Sequence, residues 1–399
     1  MPPVSDLVLT GIGHLTTNVG DPIRDATVVV REGTVVFAGA GAESPMSEGA
    51  PVYDCGGRAV IPGFVDAHTH LVFAGDRSGE FSRRMAGESY LDLAGGGGGI
   101  LSTVRSTRAA TTDELFETAL ARLTRMIAAG TTAIEVKSGY GLDVETEVRI
   151  LEVARMLGEQ TGTRVRTTFL GAHAVPVEFA HDRDGYIGLV TDTMLPAVEG
   201  LADDCDVFVE NAAFTVEEAR AILTRAAGLG LGLRVHAEQF SRSGGALLAA
   251  ELGAMSADHL DHATPEDAAA LAKAGVAAVL TPGASYMMRA PQAPGPMLWD
   301  AGCTVAIATD CNPGTSYLES MSLVVSLAVV AMGLTVEQAI WSATRGGALA
   351  LGWEDRGVVR EGARGDLVVL DAATPEHLAY RPGTNLVAAT VIGGAERKE

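Results

Sequence analysis

Two histidines one residue apart, His68 and His70, close an apolar run in the order Val60-Ile-Pro-Gly-Phe-Val-Asp-Ala-His-Thr-His70. The stretch 60–65 reads as a buried strand, and side chains at i and i+2 on a strand share one face. Two imidazoles aimed the same way from a strand's carboxyl end can grip one cation. Taken alone, the pair is also what a solvated strand-to-loop exit looks like. Its meaning depends on what else the chain brings to it.

Other reactive side chains recur where apolar runs end. Lys137 is one, with Tyr140 just beyond it. His173, Glu210, His236 with Gln239, His259 with His262, and Asp310 with Asn312 are the others. With His68 and His70, six of the nine histidines stand at such ends. Three neutral imidazoles and one carboxylate suit a borderline divalent metal that keeps a position open for water. The best set is His68, His70, His236 and Asp310. Cys311, adjacent to Asp310, faces the other way on a strand and reads as a small buried side chain. Cys55, Cys205, Cys303 and Cys311 show no paired spacing, which suits a reducing cytoplasm and argues against disulfides or a zinc knuckle.

The elements that must position these groups alternate from residue 60 to residue 349. After the strand that ends at His70, the pattern predicts strands at 131–138, 164–173, 204–210, 232–239, 256–262, 277–283 and 304–310. Between them it predicts helices over 111–129, 145–159, 183–198, 216–227, 244–252, 265–274 and 291–301, then 319–332 and 336–349. Thr111-Thr-Asp-Glu114 is a capping box for the first of these. Alternation also fits an open doubly wound sheet, but eight strand–helix units favour a closed (β/α)8, TIM-like barrel of the α/β class. In such a barrel, chemistry sits at the carboxyl ends of the strands, where the polar groups fall. The two ends of the chain read as antiparallel β, as in Ala26-Thr-Val-Val-Val-Arg31 and Asp366-Leu-Val-Val-Leu-Asp371. Neither end is long enough for a core of its own. They are expected to meet as one small β-sandwich domain, 1–61 plus 355–399, beside a barrel at 62–354. The run Gly95–Gly99 lacks the Gly-Lys-Ser/Thr of a nucleotide loop and reads as a lid or a linker.

Composition narrows the partners. The 399 residues are 47% hydrophobic, ample for a large core, and no run approaches the roughly 18–20 apolar residues of a membrane span. The amino terminus lacks a secretory pattern, so a cytoplasmic protein is expected. Fifty acidic against 29 basic residues give a formal charge of −21, which repels nucleic acid and anionic membranes. An anionic substrate would need a local basic group.

His68-Thr-His70, the strand-end His236 and Asp310 resemble the amidohydrolase superfamily. Longer runs narrow the likeness: Asp66-Ala-His-Thr-His-Leu-Val-Phe-Ala-Gly-Asp-Arg77, Gly97-Gly-Gly-Ile100, Val136-Lys-Ser-Gly-Tyr-Gly-Leu142, Thr168-Phe-Leu-Gly-Ala-His-Ala-Val-Pro176, Ser256-Ala-Asp-His-Leu260 and Ala308-Thr-Asp-Cys-Asn-Pro-Gly314. Together, over about residues 8–393, these resemble the imidazolonepropionase family. That family hydrolyses the cyclic amide of 4-imidazolone-5-propionate to N-formimino-L-glutamate in histidine degradation. The resemblance implies zinc or iron held by His68, His70, His236 and Asp310. It implies substrate contacts from Arg77, Tyr90, Tyr140, His173, Gln239, Asn312, Gly314 and Thr315, catalysis by Asp310, His259 and Gln239, and a homodimer. Arg77 would clamp the propionate, although a solvated loop arginine is the plain alternative.

Two departures matter. Binuclear relatives use a lysine at the end of the fourth strand, where this chain has Glu210, so one metal is expected. Lys137 is then a structural or a substrate-side cation. Gln239 stands where several members and related deaminases carry glutamate, so the general base moves to Asp310, while Glu238 faces away from His236. A deaminase would need that glutamate. A silent scaffold would have lost ligands, and none of the four is missing.

Overall fold

The computed structural model describes residues 5–43, 49–88, 98–211 and 213–397. Alternating apolar residues near the amino end form β1 (Leu7–Ile12), β2 (His14–Leu15), β3 (Ala26–Arg31), β4 (Thr34–Ala40), β5 (Val52–Asp54) and β6 (Ala59–Pro62). The apolar runs then give β7 (Phe64–Asp66), β8 (Thr131–Lys137), β9 (Arg164–Ala172), β10 (Asp204–Phe208), β11 (Gly232–Ala237), β12 (Ser256–His259), β13 (Ala277–Leu280) and β14 (Val305–Ile307). The carboxyl end returns with β15 (Leu367–Leu370), β16 (Val387–Ile392) and β17 (Ala395–Arg397).

Strands β7 to β14 lie side by side in chain order, all parallel, as a TIM-like barrel. Between β7 and β14 no full ladder runs. Loop backbone closes that seam: Asp310 N–H donates to His68 O and His70 N–H to Cys311 O, each at 3.0 Å. Asp66 crosses it too, accepting from Thr309 N at 3.0 Å and Thr309 Oγ1 at 2.6 Å. Helices start where the sequence supplies caps. Thr111 with Glu114, Thr215 with Glu218, Thr264 with Asp267 and Thr335 with Gln338 each form a reciprocal capping box.

The ends of the chain build two sheets, β4-β3-β1-β5 and β17-β16-β15-β6-β2. Leu7, Leu9, Val28, Val30, Leu367, Val369 and Val391 fill the space between them. On the opposite face, Ile61, Val368 and Leu370 join the core of the barrel. The period of two thus packs the small unit internally and onto the barrel with the same strands.

Three expectations need correction. The single strand over 60–65 breaks at Gly63, so β6 belongs to the small unit and β7 to the barrel. A Cβ on Gly63 would lie 2.2 Å from Thr132 Oγ1, and its N–H bonds Asp366 O at 2.9 Å. The helix expected over 291–301 is shorter, Gly295–Asp300, and an unexpected helix, Pro282–Met288, precedes it, with Pro291 and Pro294 between them. Several strands stop short of their expected ends, since Glu238, His259, Leu260 and Asp310 take positive φ (56°, 77°, 64° and 49°). The chain leaves the ladder there, so the reactive residues stand at strand tips and in the loops beyond. No helix among the described residues is long and apolar enough to cross a membrane. All four cysteines are free and buried.

Candidate active site

His68 and His70 follow β7, His236 lies on β11, and Asp310 follows β14. Their tips converge: His236 Nε2 is 3.4 Å from His70 Nε2, and Asp310 Oδ1 is 3.5 Å from His68 Nε2 and 3.6 Å from His70 Nε2. Ligand atoms held about 2.0–2.2 Å from one ion at tetrahedral angles stand roughly 3.3–3.6 Å apart. Those three pairs match that spacing; His68, His70 and His236 bring ligand atoms within 4.8 Å of one another, and Asp310 does so with His68 and His259. The donors are prepared for it. Asp258 Oδ2 takes the Nδ1 proton of His68 at 2.6 Å, and Asp206 Oδ2 stands 2.9 Å from His236 Nδ1. Both rings therefore turn an Nε2 lone pair inward. His68 Nε2 is buried without a hydrogen-bond partner. Burial and neighbouring cationic groups hold His68 and His70 well below the usual histidine range, so both rings are neutral. Burial pushes the Asp310 carboxyl well up, and an anion in that place calls for a cation. A borderline divalent ion fits this donor set.

Above the centre lies a cavity of about 250 Å³. Arg77, Tyr140, His173, Gln239, His259, Asn312, Gly314 and Thr315, all expected from the sequence, line it. Tyr90 lies outside the described residues, as do residues 95–97 of the glycine run. His262 does not line the cavity, and its backbone N–H bonds Glu238 O at 2.9 Å, so five of the six histidines grouped from the sequence share the site.

Each wall residue has a definite hold. His173 Nδ1 donates to Gly139 O at 3.0 Å, its ring stacks 5.0 Å from that of His70, and burial lowers its pKa to about 3. His259 Nδ1 meets Thr281 Oγ1 at 2.8 Å. Asn312 is engaged within its own loop: Nδ2 donates to Asp310 O at 2.7 Å, and Oδ1 accepts from Gly314 N and Thr315 N, both at 2.8 Å. Gly314 leaves room for Arg77, because a Cβ there would meet Arg77 Nη1 at 2.4 Å. Arg77 is 9% exposed, and its Nε donates to Glu80 Oε2 at 2.9 Å. Glu238 turns away from His236, accepting from Gly244 N and Ala246 N at 3.1 Å where the helix Gly245–Leu252 begins. Glu210 accepts from Phe240 N and Ser241 N and so ties the loop that carries Gln239 to β10.

Sequence reasoning missed the carboxylates behind the histidines, Glu135, Asp206 and Asp258, and the Glu80 partner of Arg77. A signal for the first three was present. Glu135 with Lys137, Asp204 with Asp206, and Ser256 with Asp258 are charged or polar pairs at i and i+2 in otherwise apolar strands. Lys137 is buried among three carboxylates and does not line the cavity, which rules against the substrate-side of its two readings.

Fold and site define the class, a barrel hydrolase that works with a metal ion. Residues 59–396 match the amidohydrolase family. The chain is 47% identical to the imidazolonepropionase of Salinispora arenicola (strain CNS-205), over 98% of either chain. It is 48% identical to that of Myxococcus xanthus (strain DK1622), over 91% of this chain and 87% of the relative. The chain belongs to the imidazolonepropionase family of amidohydrolases. Among solved structures, it resembles an N-isopropylammelide isopropylaminohydrolase from Burkholderia multivorans, with a TM-score of 0.74 and 21% identity over 98% of both chains. It also resembles a zinc-containing adenosine deaminase from Xanthomonas campestris, with a TM-score of 0.73 and 20% identity over 99% of this chain and 93% of the other. Those two likenesses are of fold.

Proposed function

We propose that the protein hydrolyses 4-imidazolone-5-propionate to N-formimino-L-glutamate. What carries this reading is the three-imidazole, one-carboxylate centre under a cavity whose described wall holds a single Lys or Arg, Arg77. In the reaction, water oxygen adds to the ring carbonyl carbon, the amide C–N bond breaks, and the water's proton ends on the departing ring nitrogen. His68, His70, His236 and Asp310 would hold zinc or iron, which when bound supplies the Lewis acidity that makes water nucleophilic near neutral pH.

The remaining work belongs to the chain. Asp310 accepts the water's proton and returns it to the ring nitrogen. With the Thr281 hydroxyl donating to Nδ1, His259 carries its proton on Nε2 and donates it as a hydrogen bond to the developing oxyanion. Gln239 hydrogen-bonds the ring, and His173 offers an Nε2 acceptor. The Arg77 guanidinium matches a carboxylate, with Tyr140 beside it, Tyr90 completing the clamp and Asn312, Gly314 and Thr315 shaping the wall. This assigns chemistry to the barrel unit, 62–354, and support to the β unit, 1–61 plus 355–399. Free buried cysteines support a reducing, cytoplasmic setting, the acidic charge weighs against nucleic acid and anionic membranes, Arg77 in the cavity wall supports a small anionic substrate, and a homodimer is what the family resemblance implies.

The test uses metal-loaded protein and imidazolone-propionate generated in place from urocanate. Loss of the ring's ultraviolet band with a product heavier by one water supports the reading. An intact ring, or ammonia release without ring opening, overturns it.

A further inference from the structure

Beneath the metal centre, the barrel holds four fully buried charged side chains that no step of the reaction uses: Glu135, Lys137, Asp206 and Asp258. Lys137 Nζ stands 2.8 Å from Glu135 Oε1, 2.8 Å from Asp206 Oδ2 and 3.2 Å from Asp258 Oδ2. Two of these oxygens are the same atoms that receive the imidazoles. Asp206 Oδ2 is 2.9 Å from His236 Nδ1, and Asp258 Oδ2 is 2.6 Å from His68 Nδ1. The third arm ends between the paired histidines, where Glu135 Oε2 accepts from Thr69 N at 3.2 Å. Lys137 closes the circuit with its own backbone, its N–H donating to Thr69 O at 2.9 Å. His68 and His236 thus each lead through one carboxylate to a single ammonium, and the Thr69 backbone between the paired histidines leads to it through the third.

We propose that Lys137 is the positioning residue of the metal centre: its ammonium fixes the three carboxylates that aim His68, His236 and the Thr69 backbone, and so sets metal affinity and ligand geometry. The inference rests on the metal-centre reading above. Its physical basis is the cost of burying charge. Three carboxylates crowded in the barrel repel one another, and a single cation shared among them fixes both their ionisation and their directions. Lysine suits the place because its compact ammonium has three donors for three acceptors.

The test compares the full chain with Lys137→Met, both stripped of metal and titrated with zinc against a chromophoric chelator. A second readout is the visible absorption of the cobalt-loaded forms, which reports ligand geometry. Lys137→Met should bind zinc on the order of 10- to 100-fold more weakly, the usual effect of losing an outer-shell partner, and its cobalt bands should shift. A purely structural lysine would lower thermal stability alike with and without metal, and would leave affinity and spectrum unchanged. That result in a folded variant overturns the proposal. Should Lys137→Met fail to fold, the charge-balanced Glu135→Gln/Lys137→Met variant is judged by the same readouts. An unsubstituted protein that takes up no zinc or cobalt would instead refute the metal centre itself, and the proposal with it.

Discussion

At the scale of single residues, the proposed reaction gives Asp310 and Arg77 different parts, so the two should fail differently. Asp310→Asn keeps the shape but loses the proton acceptor, so kcat should fall by about 10²–10⁴-fold in the metal-loaded variant. Arg77→Met removes a charge-assisted contact made to bound substrate and transition state alike. It should lower kcat/KM by about 10- to 100-fold, mainly through KM. Unchanged KM in Arg77→Met would refute the clamp. Asp261 makes a residue-scale case for pH. It is 8% exposed, and burial pushes its carboxyl up to about 7 against hydrogen bonds from Ser285 and Ala293. Its folded pKa exceeds the unfolded value of about 3.9, so the folded state binds the proton more tightly. That contribution to stability is whole below about pH 4 and is lost as pH rises through about 7. Asp261→Asn has no such loss. Urea unfolding should show its stability relative to the parent growing between about pH 4 and pH 7 and then levelling, and a flat difference would contradict this. The candidate metal ligands were legible in the sequence because histidines at strand ends are uncommon enough to count. Asp206 and Asp258 were not, because a barrel interior is expected to be apolar and only the i, i+2 pattern betrays them.

At the scale of elements, four helix starts could be read from residue types, since a capping box is local chemistry with a fixed spacing. The first strand could not. Val60 to Val65 is apolar throughout, and only a partner from far along the chain, the Thr132 side chain, decides that the strand must break at Gly63. A methyl group there has nowhere to go, so Gly63→Ala should cost about 1–3 kcal/mol of stability. The coupling is specific and can be isolated. In a Thr132→Gly background, the cost of Gly63→Ala should shrink, and urea unfolding of the four members of that cycle measures it. Equal costs in both backgrounds would place the strand break elsewhere. The early strand ends have a related cause. Non-glycine residues at positive φ, such as His259 and Asp310, give no sign in composition, and the loops they begin carry the reactive groups.

At the scale of the whole molecule, eight strand–helix units and two meeting ends follow from patterning, but where the barrel lacks a ladder does not. That place is the seam between β7 and β14, closed by loop hydrogen bonds and Asp66 in place of a ladder. The candidate ligands straddle it. His68 and His70 stand on one side, Asp310 on the other, and His236 reaches across from β11. A metal ion held by all four would therefore act as a clasp on the closure as well as a reagent. Ligands that bind only the folded state stabilise it by mass action, by about 2.7 kcal/mol at a hundredfold excess over Kd. Here that stabilisation should be uneven. In chelator-treated protein, amide hydrogens at 64–70 and 305–312 should exchange faster than in zinc-loaded protein, while those of β9 and β10, away from the seam, should change little. Melting temperature should rise with zinc in step. Slowing spread evenly over all eight strands would mean that the barrel is closed as firmly at β7 and β14 as elsewhere, and that the ion takes no part in holding it shut.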